Sequence, residues 1–137
     1  MIVSKVEIAK HQLESAIRAF EANDKLVAIT LAGASEEILG VLCKKAGKNK
    51  AIELIFSESL STNQNLTLGQ LVKSLNNSRN NLKHLNEDDI DPVEILEIDA
   101  QLMLWRAMFN WMKLGHPSSA IIKDFQKWLF ENPLSMD

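Results

Sequence analysis

The sequence predicts an all-α protein, an up-and-down bundle of five to six helices that forms one domain over residues 1–137. Glycine and proline are scarce, with five and three copies respectively, and tyrosine is absent. Residues of high helix propensity are abundant, and apolar residues recur at the spacing of amphipathic helices. Residues typical of helix ends lie where these apolar patterns start and stop.

Helix-end signals and apolar spacing together define six segments. Ser4, with Glu7 as its capping-box partner, starts the first segment, and Asp91-Pro92 starts the fifth as an N-cap followed by proline. Gly47 and Gly115 are placed to end the second and the fifth. The segments cover about residues 5–22, 25–46, 51–60, 67–84, 92–114 and 119–132, the last capped by Ser118 or Ser119.

The second segment has two apolar faces of different character. The larger residues form the stripe that we expect to face the core: Val27, Leu31, Ala34, Ile38, Val41 and Leu42. The back face carries small residues such as Gly33, which allow close approach of another backbone, and Glu36 projects from the same side. A buried carboxylate needs a partner, and Arg79 is the natural candidate. Alternatively, Glu36 and Glu37 lie on the solvated edge of the helix.

The fifth segment, residues 92–114, is apolar nearly all round. A helix without a polar face lies in the centre of a core or is buried by a second subunit. Both positions remain open from the sequence.

Composition and charge restrict the cellular setting and the partners. The single cysteine, Cys43, excludes an internal disulfide and suits a reducing cytosol. No apolar run approaches a membrane span and no signal-peptide pattern starts the chain, so we expect a cytoplasmic protein without membrane contact. The net charge of −3 argues against a broad electrostatic grip on nucleic acid. His11, His84 and His116 lack metal-ligand spacing, and neither a metal nor another cofactor is expected.

The segment with the clearest chemical content is Arg79-Asn-Asn-Leu-Lys-His84. A guanidinium grips phosphate as a planar fork, and an imidazole moves a proton near neutral pH, so the pair suits metal-free phosphodiester chemistry. On one straight helix from Thr67 the two side chains lie on opposite sides. A joint site therefore needs a bend, a long reach by the Arg79 stem or a second subunit. The alternative is that Arg79 neutralises a buried acid and His84 is an exposed residue.

These motifs resemble those of the HEPN domain family. The stretch Ala28-Ile-Thr-Leu-Ala-Gly-Ala-Ser-Glu-Glu-Ile-Leu-Gly-Val-Leu42 is similar to the second helix of HEPN domains. The segment from Arg79 to His84 resembles the family's signature of arginine and histidine separated by four to six residues, including the polar residue directly after the arginine. The resemblance implies a helical bundle that forms a homodimer, with the motifs of two chains meeting at one cleft.

The resemblance also implies a function and residue roles. Many HEPN domains are metal-independent endoribonucleases, in some systems neutralised by an antitoxin-type protein partner. By this resemblance Arg79 would hold the scissile phosphate of RNA and His84 would act as general acid or base. Asn80 would orient either the histidine or the phosphate, and Glu36 or Glu37 would position Arg79.

Two further functions remain open beside the ribonuclease. Lys83 belongs to a small basic rim, but an acidic run over residues 87–91 follows His84 and would repel a polyanion at close range. A non-catalytic HEPN-like module would use the same cleft to bind a nucleotide, RNA or a protein partner. In a purely structural protein, Arg79 would be buried against a carboxylate and His84 would lie in solvent.

Overall fold

The described part of the chain, residues 1–51, 53, 76–83 and 92–134 of a computed structural model, is an all-α bundle. It contains five helices: α1 (Lys5–Glu21), α2 (Lys25–Lys45), α3 (Asn77–Lys83), α4 (Glu97–Leu114) and α5 (Ala120–Glu131). The predicted fold class is therefore confirmed. Most of the predicted segment 51–60, residues 67–75 of the predicted segment 67–84, the acidic run 87–91 and His84 lie outside the described residues.

The predicted start of the first helix and the predicted end of the second are confirmed. The Ser4 hydroxyl accepts a hydrogen bond of 3.1 Å from the Glu7 N–H at the start of α1. At the end of α2, Gly47 has a φ of +71°, and the Lys48 N–H donates to the Cys43 carbonyl at 2.9 Å. This is a Schellman-type ending, which requires the left-handed backbone conformation that glycine adopts without strain.

The predicted start of the fourth described helix is wrong. Helix α4 begins at Glu97 and not at Pro92, and Leu96 occupies the N-cap position with an extended backbone. The Leu96 N–H donates to the Asp99 carboxylate at 2.7 Å. Asp99 therefore accepts a hydrogen bond from the N-cap N–H while it lies in the first turn of the helix itself. The Asp91-Pro92 pattern has the composition of a helix start, but α4 does not start there.

The core lies around α2 and α4 and contains more of α2 than the predicted stripe. Leu31, Ile38 and Leu42 of that stripe pack against the main core, whereas Val41 is 55% exposed. The small-residue face, including Gly33, is buried as well. Small side chains let α4 approach α2 closely, so burial here follows the fit between helices and not side-chain size.

Helix α4 is the central helix that its apolar sequence predicts. Leu104, Ala107, Met108 and Trp111 are buried in the main core. The Trp111 indole N–H donates to the Ser118 hydroxyl at 2.8 Å. Ser119 occupies the N-cap position of α5, as one of the two predicted alternatives requires.

By length and composition, α2 is apolar enough to cross a membrane, and half of its most apolar window is buried within the bundle. The expectation that no segment approaches a membrane span is therefore wrong on these two criteria. Core helices meet the same criteria, and the burial of Ala28, Ile29, Ala32 and Leu39 accounts for the apolar composition of α2 within the fold.

Candidate functional site

The candidate site is built around Glu36, a buried carboxylate on α2 that two arginines share. Arg79 Nη1 of α3 lies 3.3 Å from Glu36 Oε2, and Arg106 Nη2 of α4 lies 3.1 Å from Glu36 Oε1. The side chains of Glu36 and Arg79 are each 6% exposed and that of Arg106 is 2% exposed. We call Glu36, Arg79 and Arg106 the Glu36 cluster. It joins three helices through one side chain.

Gly33, one turn before Glu36, makes room for the Arg79 side chain. A methyl group added to Gly33 would overlap Cδ of Arg79 and lie 2.7 Å from its Cγ. The arginine stem therefore lies directly against the backbone of α2, at a distance that only glycine permits. Glu36 lies on the same face one turn later and receives the guanidinium at the end of that stem.

The outer edge of the Arg79 guanidinium reaches a more exposed pair of side chains. Arg79 Nη2 lies 3.0 Å from Glu37 Oε1, and the Glu37 side chain is 50% exposed. Lys83, one turn after Arg79 on α3, places its Nζ 3.9 Å from Glu37 Oε2. Arg79 thus bridges two carboxylates, one inside the bundle and one at its surface.

Asn110, one turn after Arg106 on α4, continues the polar site. Its Nδ2 donates to the Glu36 carbonyl at 3.3 Å, and its Oδ1 accepts from the Ala51 N–H at 2.8 Å. The Cys43 thiol donates to the Asn110 carbonyl at 3.4 Å. Asn110 therefore binds α2 to the chain that follows it, and buried polar groups are satisfied at each of these contacts.

The electrostatics of the Glu36 cluster combine a desolvation cost with compensation by opposite charge. Burial lowers the pKa of the Arg106 guanidinium from its ordinary value, and the adjacent Glu36 carboxylate opposes that shift. Two arginines and two glutamates, Glu36 and Glu37, balance each other's charge. Removal of Glu36 would take the shared carboxylate from two buried guanidinium groups, which is far costlier than loss of an exposed ion pair.

The structure brings most of the predicted site residues together. Glu36, Glu37, Arg79 and Lys83 form one connected set of ion pairs, and the proposed pairing of Glu36 with Arg79 is present. Asn80 lies next to Arg79 on α3 and is exposed. His84 lies outside the described residues, so its distance from Arg79 stays a prediction.

Arg106 and Asn110 were not among the residues predicted for this site. Both are fully or almost fully buried on α4. Their signal in the sequence is a pair of polar residues four apart on a helix that is otherwise apolar nearly all round. Such a pair on a central helix needs buried partners of its own.

The site offers anion-binding chemistry only after a rearrangement. Arg79 is ion-paired with carboxylates on both sides, so a phosphate would have to replace at least one of them. Within the described ranges, no three His, Cys, Asp or Glu side chains lie close enough to hold a metal ion. Comparison with protein-family models, curated proteins and solved structures finds no match to this chain.

Proposed function

We propose that the chain is a non-catalytic, HEPN-like and homodimeric helical module that binds a protein partner. The observation that carries the non-catalytic part of this proposal is the state of Arg79, whose side chain is 6% exposed and paired with Glu36 and Glu37. A ribonuclease of the resembled type needs this guanidinium free to hold a phosphate in an open cleft. Here the guanidinium already neutralises two carboxylates and joins α3 to α2.

Charge supports a protein partner over a nucleic acid. The chain carries 18 acidic and 15 basic residues, not counting histidine, so its net charge of −3 repels a polyanion at long range. Close to Arg79, the carboxylates of Glu36 and Glu37 offset Arg79 and Arg106, which leaves Lys83 as the surplus charge of the ion-pair network. Nucleic-acid sites require a larger basic surface than this.

A second candidate is the metal-independent endoribonuclease. The observation that favours it is the unequal exposure of the two carboxylates that contact Arg79. Glu37 is half exposed, so an incoming phosphate could displace it from the outer edge of Arg79. Glu36 would keep Arg106 as its counter-ion during that exchange. In this case Arg79 would hold the scissile phosphate and His84 would transfer the proton, with Asn80 orienting one of them.

Cleavage of a labelled, structured RNA in excess EDTA distinguishes the two candidates. The proteins compared are the wild type, Arg79→Ala and His84→Ala, each first shown to be folded by circular dichroism. The non-catalytic module predicts no cleavage by any of them. Cleavage that survives EDTA and is lost in both variants would establish the nuclease and overturn the proposal. Equal cleavage by all three would identify a contaminant.

Light scattering on the same wild-type sample tests the homodimer separately. A mass of twice 15.4 kDa is expected. A monomeric mass over the accessible concentration range would contradict the dimer without changing the result of the cleavage assay.

A further inference from the structure

An apolar groove lies between α4 and α5, on a side of the bundle away from the Glu36 cluster. It encloses about 240 Å³ and is lined by Gln126 and six apolar residues: Trp105, Met108, Phe109, Met112, Leu129 and Phe130. Phe130 is 70% exposed and Met112 is 40% exposed, so large apolar side chains face solvent here. Aromatic residues and methionine are enriched in protein interfaces, and contiguous exposed apolar surface marks binding sites.

The groove and the Glu36 cluster occupy different sides of α4. Helical geometry places the mean direction of the groove residues of α4 about 130° from that of Arg106 and Asn110. The groove residue Met108 borders the main core, whereas Arg106 faces Glu36 of α2. A ligand in the groove would therefore leave the pairing of Arg79 unchanged.

Lysines border the groove on both helices. Lys113 of α4 places its Nζ 5.3 Å from the centre of the Phe109 ring. On α5, Lys123 and Lys127 lie about 20° and about 60° around the helix from Phe130, and a shallow surface depression next to the groove is lined by both lysines, Phe130 and Glu131. All three lysines are exposed. The rim is thus mostly basic on a chain that is acidic overall.

We propose that this groove binds an amphipathic helix of a partner protein, with the apolar face of that helix on the groove and acidic residues along its edges. An apolar groove between two helices accepts an amphipathic helix through residues spaced three and four apart. The basic rim selects an acidic sequence by charge complementarity. A second copy of this chain is the poorer occupant, because a symmetric contact through the groove would bring like-charged lysine rims together.

The inference rests on the proposed protein-binding role but not on the state of Arg79. The test is selection from a displayed library of helical peptides, with apolar residues fixed at i, i+3, i+4 and i+7 and all flanking positions randomised. We expect enrichment of acidic flanking residues. Synthetic versions of the selected peptides are then titrated by isothermal calorimetry against variants of the full chain.

Two variants of the groove have matched controls elsewhere on the surface. Phe130→Asp removes the most exposed aromatic side chain of the groove and should weaken binding at least about tenfold, whereas Val41→Asp on α2, another exposed apolar position, should not. Lys123→Glu combined with Lys127→Glu should weaken the binding of acidic peptides and strengthen the binding of the same peptides with lysine in place of the acidic residues. Lys44→Glu with Lys45→Glu, which makes the same charge change at the end of α2, should do neither.

Three results would overturn the inference, and each has a distinct consequence. Binding that is unaffected by Phe130→Asp but lost with Lys83→Glu would keep a protein-binding module and reject the groove. Absence of any enriched peptide would reject the groove as a site for a partner helix, whereas the non-catalytic role stands or falls with the RNA cleavage assay. A wild-type dimer that becomes monomeric with Phe130→Asp would show that a second copy occupies the groove.

Discussion

Gly33→Ala should change the free energy of unfolding in opposite directions, depending on whether Arg79 is present. Gly33 lies within α2, where alanine is intrinsically more favourable than glycine by about 1 kcal/mol. In the wild type, however, the added methyl group would overlap the Arg79 stem. The guanidinium would then have to leave Glu36, its partner at 3.3 Å.

The magnitude follows from these two opposing contributions. Breaking a buried ion pair costs about 3–5 kcal/mol, and we take about 3 kcal/mol because Arg106 still neutralises Glu36. Less the helix-propensity gain of about 1 kcal/mol, Gly33→Ala should destabilise the wild type by about 2 kcal/mol. In an Arg79→Ala background the overlap is gone, and the same substitution should stabilise by about 1 kcal/mol. The coupling energy between the two positions is then about 3 kcal/mol.

Urea denaturation followed by circular dichroism measures all four members of this double-mutant cycle. Gly40→Ala is the matched control, because Gly40 lies two turns later on the same helix face. A methyl group there would lie 3.4 Å from Lys50 Cδ and 3.6 Å from Asn110 Nδ2, which are ordinary contacts. We expect a gain of about 1 kcal/mol in both backgrounds. If Gly33→Ala stabilises the wild type as much as Gly40→Ala does, Arg79 does not lie against Gly33 and the reasoning fails.

Three further predictions concern the buried polar residues around the same helices. Arg106→Met should lower the free energy of unfolding by about 3 kcal/mol, measured in urea, because it removes a buried counter-ion of Glu36. Asn110→Ala should cost about 1–3 kcal/mol in the same assay, since it leaves the Ala51 N–H without its acceptor. Burial raises the pKa of the Cys43 thiol above its ordinary 9.0, so the folded protein keeps this proton where the unfolded chain loses it. Stability should therefore fall as the pH rises above about 9 in the wild type, and less steeply in Cys43→Ala.

The pairing of Glu36 with Arg79 could be predicted from the sequence because it follows from one local conflict. A carboxylate on a face of small residues needs a counter-ion, and Arg79 is one of only three arginines in the chain. The contribution of Arg106 could not be predicted in the same way. It lies 70 residues from Glu36 on a helix whose apolar pattern conceals it, and only the packing of α4 on α2 brings the two side chains together.

Two errors in the predicted fold have a common physical origin, because a local sequence pattern does not contain the fit between helices. The stripe of larger apolar residues on α2 is only partly in the core, since Leu42 packs against it but Val41 is 55% exposed, and the small-residue face is buried as well. Asp91-Pro92 has the composition of a helix start, yet the helix starts at Glu97 with Asp99 as its cap. Propensity and capping patterns rank the alternatives, and packing decides among them.

The two arginines of the Glu36 cluster come from different helices, and this determines what a ligand at Arg79 would change. Arg106 comes from the central helix α4, whereas Arg79 comes from the described residues of α3, which pack against α2. The contacts of Arg79 with Glu36 and Glu37 hold this part of α3 on α2. A phosphate that captured Arg79 would have to compete with both carboxylates and would loosen α3, while a helix bound between α4 and α5 would do neither. For this reason a ligand at Arg79 should change the unfolding of α3. A ligand in the groove should stabilise the bundle without changing the unfolding of α3.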